Sequence, residues 1–373
     1  MDTIPVCTPL LDGRELEYVQ DAVASGWISS SGKYVAAFEE AFSAYCGVKH
    51  GIAVCNGTVS LHLALVALGI GPGDEVVVPD FTMSACAFSV CYTGAKPVFV
   101  DADAKTWNLD TEKIREKITS RTKALMAVHI FGNPCNMASI GQLAEEYGLA
   151  LLEDAAQAHG ARYAGKTVGS LGSMASFSFF ANKNLTTGEG GMVVTDDEQL
   201  AVQCRYYKNI CFPMNGPRNY IHEDIGFNYR MSNLHAAIGL AQTEKAEQYK
   251  KMRQRNGHLY NELLGEIPGV LLQQVEKTAE SVHWMNGICV DPKEYGRTRD
   301  ELMQHLAANG VETRLFFNGM HRQPSLQKYG CDCAGTYPVS DILADNGLYL
   351  PSGSGLEHEQ ISRICGLIAT YRR

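Results

Sequence analysis

The chain has 373 residues, 45% hydrophobic and 20% charged, with a formal net charge of −9. This is an ordinary globular composition, long enough for two domains or for one large domain with an appendage. The acidic balance argues against nucleic acid or an anionic membrane as the main partner, but is compatible with a local positive site for a phosphorylated small ligand.

Twelve cysteines stand at positions 7, 46, 55, 86, 91, 135, 204, 211, 289, 331, 333 and 365, with no Cys-x-x-Cys pair and no cluster at metal-ligand spacing. Scattered cysteines fit a reducing compartment, the opening residues lack the basic-then-apolar order of a secretory leader, and no run of 18 apolar residues occurs. A cytoplasmic protein without a structural metal is the expectation.

In chain order, residues 14–24 and 34–45 predict amphipathic helices; in the second, Val35, Phe38, Phe42 and Tyr45 recur at helical spacing. From about residue 50, short apolar strands alternate with helices. "GIAVCNGTVSLHLALVAL" predicts strand, turn and helix; "DEVVVPD" a strand and "FTMSACAFSVCYTG" a helix. "KPVFVDAD" and "KALMAVHIFG" predict strands, "SIGQLAEEYG" a helix, "LALLEDAAQAHG" a further strand, and "ASFSFF" and "GMVVT" two more. This alternation implies an α/β fold with a mainly parallel sheet covered on both faces, and ligands gathered beyond the carboxyl ends of its strands. Residues 233–267 predict one long helix, straight or bent, packed by small residues at its start. The division expected is a large domain over 1–245 and a smaller α+β domain over 246–373.

Three signals carry chemistry. Asp154 closes the strand "LALLED", where it would meet a ligand or cap the segment that follows. The turn "NGTVS" leads from a strand into an apolar helix, so Gly57, Thr58 and Ser60 offer backbone N–H groups and hydroxyls to an anion, or simply cap the helix. Lys183 lies between the strand "SFSFF" and the turn "TTGEGG". Lysines usually sit on solvated surface; one just beyond a buried strand end is desolvated, which lowers its pKa and makes it a better nucleophile toward carbonyls. Ser178, five residues earlier, adds a hydroxyl. An anion cradle, an acid and a desolvated lysine are the three needs of pyridoxal 5'-phosphate: phosphate site, partner for the pyridinium nitrogen, and Schiff-base lysine.

With "SGWISSSGKYVAAFEEAF", "NGTVSLHLALVALGIGPGDEVVVPDFT", "GAKPVFVDAD", "LLEDAAQAHGA", "SFSFFANKNLTTGEGGMV" and "NYRMSNLHAAIGLAQ" in this order, the chain resembles the DegT/DnrJ/EryC1/StrS family of pyridoxal-phosphate sugar aminotransferases, and within it the perosamine-synthase-like members. The resemblance covers nearly the whole length. It implies an aspartate-aminotransferase-like fold (fold type I) and transfer of an amino group from L-glutamate to the ketone of a nucleotide-linked 4-keto-6-deoxyhexose, for a surface polysaccharide or glycoside.

Under the resemblance Lys183 anchors the cofactor and moves protons, Asp154 keeps its ring nitrogen protonated, and Gln157 sits near its phenolic oxygen. Gly57, Thr58 and Ser178 bind the phosphate. Asn228, with Arg230 beside it, reaches the phosphate from the other subunit of a homodimer. Met83 stands where many relatives carry an aromatic residue over the cofactor ring, with Phe81 as a possible substitute. Trp27, Ser29 and Lys33, and Arg314, Phe317 and His321 in the smaller domain, are candidates for the nucleotide sugar. His129 and His159 are open to either a structural or a ligand role. Two other readings stand beside this one: a smaller phosphorylated or nucleotide-linked ketone as substrate, and a non-catalytic regulatory relative.

Overall fold

The computed structural model describes residues 3–214 and 220–372. Its main sheet has seven strands: β1 (His50–Val54), β2 (Glu75–Pro79), β3 (Lys96–Val100), β4 (Thr122–Val128), β5 (Ala150–Asp154), β8 (Met174–Ser178) and β9 (Gly191–Thr195). Their order across the sheet is β1-β9-β8-β5-β4-β2-β3. A short ribbon joins β6 (Arg162–Tyr163) and β7 (Lys166–Thr167) to β11 (Ala279–Glu280). A second sheet has the order β10 (Val270–Leu272), β12 (Asn286–Val290), β14 (Gly347–Leu350), β13 (Arg314–Leu315).

From β8 to β3 the main sheet is parallel, and β9 runs antiparallel to both β8 and β1. Parallel neighbours need crossovers: α4 (Ala85–Tyr92) joins β2 to β3 and α5 (Met137–Tyr147) joins β4 to β5, while α3 (Gly57–Ala67) carries the chain from β1 at one edge of the sheet to β2. Helices then cover both faces, so the strands read as continuous apolar runs: every residue of β2 is buried. Because β2, β4, β5 and β8 are parallel, the residues that follow them emerge at one edge. Asp80, His129, Asp154 and the 179–190 turn all lie on that side.

The predicted helices 14–24 and 34–45 are α1 (Glu15–Ala24) and α2 (Lys33–Cys46). Phe38 and Phe42 of α2 are fully buried, in edge contact with Phe177 and Phe179 of the strand that leads to Lys183. After α6 (Glu198–Lys208), the segment expected as one long helix is two: α7 (Asn233–Glu244) and α8 (Ala246–Leu264). No proline or glycine breaks it. Lys245 takes φ −109° and ψ 9°, its N–H turns to the Gln242 carbonyl, and its ammonium pairs with Asp12 at 2.7 Å. A tertiary ion pair, which periodicity does not register, holds the bend.

The second sheet packs Ile288, Val290, Leu348 and Leu350 against Leu302, Leu306, Ile361 and Ile364. Ile4 joins this cluster and bridges to Val311. Among the described residues no helix is long and apolar enough to cross a membrane.

Candidate active site

Asp154 is the last residue of β5 and is buried. One carboxylate oxygen accepts the Ala156 N–H at 3.0 Å; the other accepts the thiol of Cys86, also at 3.0 Å. Cys86 lies in the first turn of α4, and Thr82 Oγ1 stands 3.3 Å from its sulfur. Burial first, then the Asp154 charge, pushes the Cys86 thiol well up, so it stays protonated and donates. Its neighbour Glu153 points elsewhere. It accepts from the backbone N–H groups of Gly169, Leu171 and Gly172 and faces His129 Nε2 at 3.2 Å. His129 Nδ1 takes the Cys135 N–H at 3.1 Å, so this histidine is a structural connector.

Lys183 lies in the turn after β8, half-buried. Burial pulls its ammonium down to about 8, with the Asp154 carboxylate opposing that shift. Its Nζ sits 3.7 Å from the centre of the Trp284 ring. At about 8 the amine is still mostly protonated at neutral pH, but its neutral fraction, the form that attacks a carbonyl, is about a hundredfold or more larger than for a solvated lysine.

The anion cradle forms where α3 meets β8. Asn56 caps the helix by accepting the Val59 N–H at 3.0 Å, so the first-turn N–H groups of Gly57 and Thr58 come at a positive helix end. A Cβ at Gly57 would lie 2.5 Å from Ser178 Cβ and 2.9 Å from its hydroxyl. Only glycine lets the helix start approach Ser178 this closely. Ser60 is fully buried, its hydroxyl engaged with the Gly57 carbonyl at 2.7 Å and with the Ser176 hydroxyl, so it ties α3 to β8 from inside the fold. In register, Asp154 pairs with Ser176, two residues before Ser178. The acid, the cradle and the strand that leads to the lysine are therefore direct neighbours.

Gln157 is buried and its carbonyl oxygen accepts the Phe131 N–H at 2.7 Å, steadying a residue with φ of 57°. His159 is buried among Phe42, Phe177 and Phe179; burial first, then the Lys183 charge, pulls it down to about 3. Phe81 is fully buried in an aromatic cluster with Phe131, Phe316 and Phe317, and so is not the ring cover that the sequence suggested as a substitute. Met83 is 52% exposed.

The substrate candidates are spread more widely. Trp27 is 60% exposed; the Ser29 carbonyl accepts the Asn233 N–H at 2.6 Å; Lys33 pairs with Asp21 at 2.8 Å. Arg314 pairs with Glu312, and Phe317 borders Phe81, Phe131 and Tyr349. His321 clasps the second sheet's region to the first: Nδ1 lies 2.8 Å from the buried Asp80 and Nε2 3.2 Å from Asp341. Asn228 is exposed and accepts from Arg230 at 2.8 and 3.0 Å, in a segment bridged to Val54 and Asn209. Cys86 and Trp284 were missed by sequence reasoning. Neither belongs to a recognisable motif, and only folding brings them to Asp154 and Lys183.

Residues 9–369 match the DegT/DnrJ/EryC1/StrS aminotransferase family. The chain is 44% identical over 362 residues to GDP-perosamine synthase of Caulobacter vibrioides, covering 97% of this chain and 96% of that protein. It superposes on the crystal structure of DesI in the presence of its TDP-sugar product with TM-score 0.90 and 33% identity, over 99% and 93% of the two chains. It superposes on Escherichia coli GDP-4-keto-6-deoxy-D-mannose-3-dehydratase with bound hydrated PLP with TM-score 0.93 and 25% identity, over 99% and 100%. The chain belongs to the DegT/DnrJ/EryC1/StrS aminotransferase family, and is a pyridoxal-phosphate-dependent enzyme of fold type I.

Proposed function

We propose that the enzyme moves an amino group from L-glutamate to the ketone of a nucleotide-linked 4-keto-6-deoxyhexose, in the manner of a perosamine synthase, for surface polysaccharide or glycoside biosynthesis. One observation carries the reading. A lysine with its amine pulled down to about 8 stands in the turn after β8, next to the strand that ends in the buried Asp154. A family member lacking that lysine could not serve as an aminotransferase of this kind.

The residues fit pyridoxal phosphate. Gly57 and Ser178 meet at a helix start too tightly for a Cβ, and the buried carboxylate and the low-pKa amine fill the other two requirements. When bound, the cofactor supplies an electron sink beside the carbon that loses its proton. The phosphate is assigned to Gly57, Thr58 and Ser178. Asp154 holds a proton on the ring nitrogen, and Cys86 and the Ala156 N–H fix its carboxylate plane. Lys183 is the covalent anchor and, once released, the base that takes a proton at one carbon and returns it at the other. We place the cofactor domain at residues 1–245 and the smaller domain at 246–373.

We further propose a cytoplasmic homodimer in which Asn228 and Arg230 complete the partner's phosphate site. Their segment carries Ile221 and Ile225, both strongly exposed in the single chain. Sedimentation of the purified protein is expected to give twice the 40.8 kDa chain mass.

The substrate is tested by incubation with pyridoxal phosphate, L-glutamate and a panel of GDP-, UDP- and dTDP-linked 4-keto-6-deoxyhexoses, with mass spectrometry for replacement of ketone by amine. One aminated product identifies the nucleotide. Spectral conversion of the cofactor by glutamate with no sugar product would instead assign a smaller phosphorylated ketone, a reading that the exposed Met83 in place of a covering ring favours.

A further inference from the structure

We infer that Trp284 is a positioning residue for Lys183: its ring face receives the lysine ammonium whenever that amine is not covalently engaged, and holds it in reach of the reacting carbons. Lys183 Nζ stands 3.7 Å from the Trp284 ring centre, well inside cation–π range. The ring is a fixed platform. The Trp284 N–H donates to the Phe131 carbonyl at 2.9 Å and its indole N–H to the Asn182 carbonyl at 2.8 Å. Its own carbonyl accepts from Arg253 at 2.9 Å. Asn182 adjoins Lys183, so the platform and the lysine turn are tied directly together.

Arg253 strengthens the case. It is almost fully buried, yet the partners of its guanidinium are neutral: the Trp284 and Ser352 carbonyls, Ser354 Oγ at 2.9 Å and Cys7 Sγ at 3.3 Å. A buried cation used as a clamp on a backbone carbonyl is a costly device, and its hold on the Trp284 carbonyl fixes the residue that carries the indole.

The chemical reason is a competition. In the cofactor-free chain the ammonium is drawn toward the Asp154 carboxylate, where a salt bridge would occupy the place of the ring nitrogen and keep the lysine charged. A π face attracts the ammonium more weakly and carries no counter-charge. Lys183 is thereby held aside, where it gives up its proton more readily than it would from a salt bridge with Asp154.

This inference rests on Lys183 being the cofactor anchor, and its test uses neither cofactor nor sugar. In the full chain freed of cofactor, reductive methylation of Lys183 is followed against pH by peptide mass spectrometry, in wild type, Trp284→Phe and Trp284→Leu. Both variants lose the indole N–H; only Leu loses the π face. The Phe variant is expected to titrate with wild type, and the Leu variant about one pH unit lower. Coincident Phe and Leu curves would overturn the platform. Should the Leu variant not fold, indole emission of wild type against Lys183→Met serves. A pH-dependent component lost with the lysine supports the platform, and its absence refutes it. Borohydride trapping of cofactor on Lys183, run separately, tests the anchor itself.

Discussion

At the scale of single residues, Lys183 is stressed by its own location. Its ammonium titrates near 8 in the fold and near 10.4 in an unfolded chain, so between these values the unfolded state binds more protons and stability rises with pH. Below pH 8 the cost of the buried charge is fully present. Lys183→Met is therefore expected to stabilise the cofactor-free chain by about 2–3 kcal/mol at pH 7, and by little at pH 10.5, read by urea unfolding at both values. The same substitution abolishes transamination, the familiar opposition of a strained site to stability. For Asp154→Asn the fold should hold, because an amide oxygen can still accept the Ala156 N–H. Turnover should fall by about 10²–10⁴, the range for losing a positioned proton partner, in single-turnover assays with glutamate.

At the scale of elements, the approach of α3 to β8 is the tightest constraint in the site. Gly57→Ala would place a methyl 2.5 Å from Ser178 Cβ and 3.2 Å from its Cα. The nearest atoms are backbone or backbone-attached, so α3 itself must move. The expected cost is about 1–3 kcal/mol, as for overpacking elsewhere, with cofactor affinity falling by more than stability does. Equilibrium dialysis of pyridoxal phosphate beside a thermal melt separates the two. Among the elements, those with a strong local pattern were legible: the amphipathic α1 and α2, and the apolar runs that become β2, β4 and β5. The break at Lys245 was not, because it depends on Asp12, more than 200 residues away in sequence.

At the scale of the whole molecule, burial of neutral imidazoles sets the acid limit. Burial pulls His159 to about 3, and His62 and His283 each to about 4, against about 6.5 when unfolded. The unfolded chain gains these protons first as pH falls, so stability present above pH 6.5 is lost progressively toward pH 4. Each site contributes on the order of a few kcal/mol. His159→Phe, which suits the surrounding Phe42, Phe177 and Phe179, should flatten the acid limb of a stability–pH curve and leave the neutral plateau nearly unchanged. The His321 clasp between Asp80 and Asp341 is likewise a property of the assembled molecule: His321 and Asp80 are 241 residues apart.

What the sequence determined by itself was the local part of the site. Alternating strands and helices dictate a parallel sheet, a parallel sheet collects its carboxyl ends at one edge, and Asp154, Gly57 and Lys183 each follow a strand or close one. Their chemistry could thus be read before any contact was known. Tertiary structure alone decided what surrounds them. Cys86 on Asp154, Trp284 beneath Lys183 and Arg253 behind Trp284 come from distant stretches with no motif. Local propensity carries periodicity and turn chemistry over a few residues; the partner of a buried charge is chosen by packing, which exists only once the chain has closed on itself.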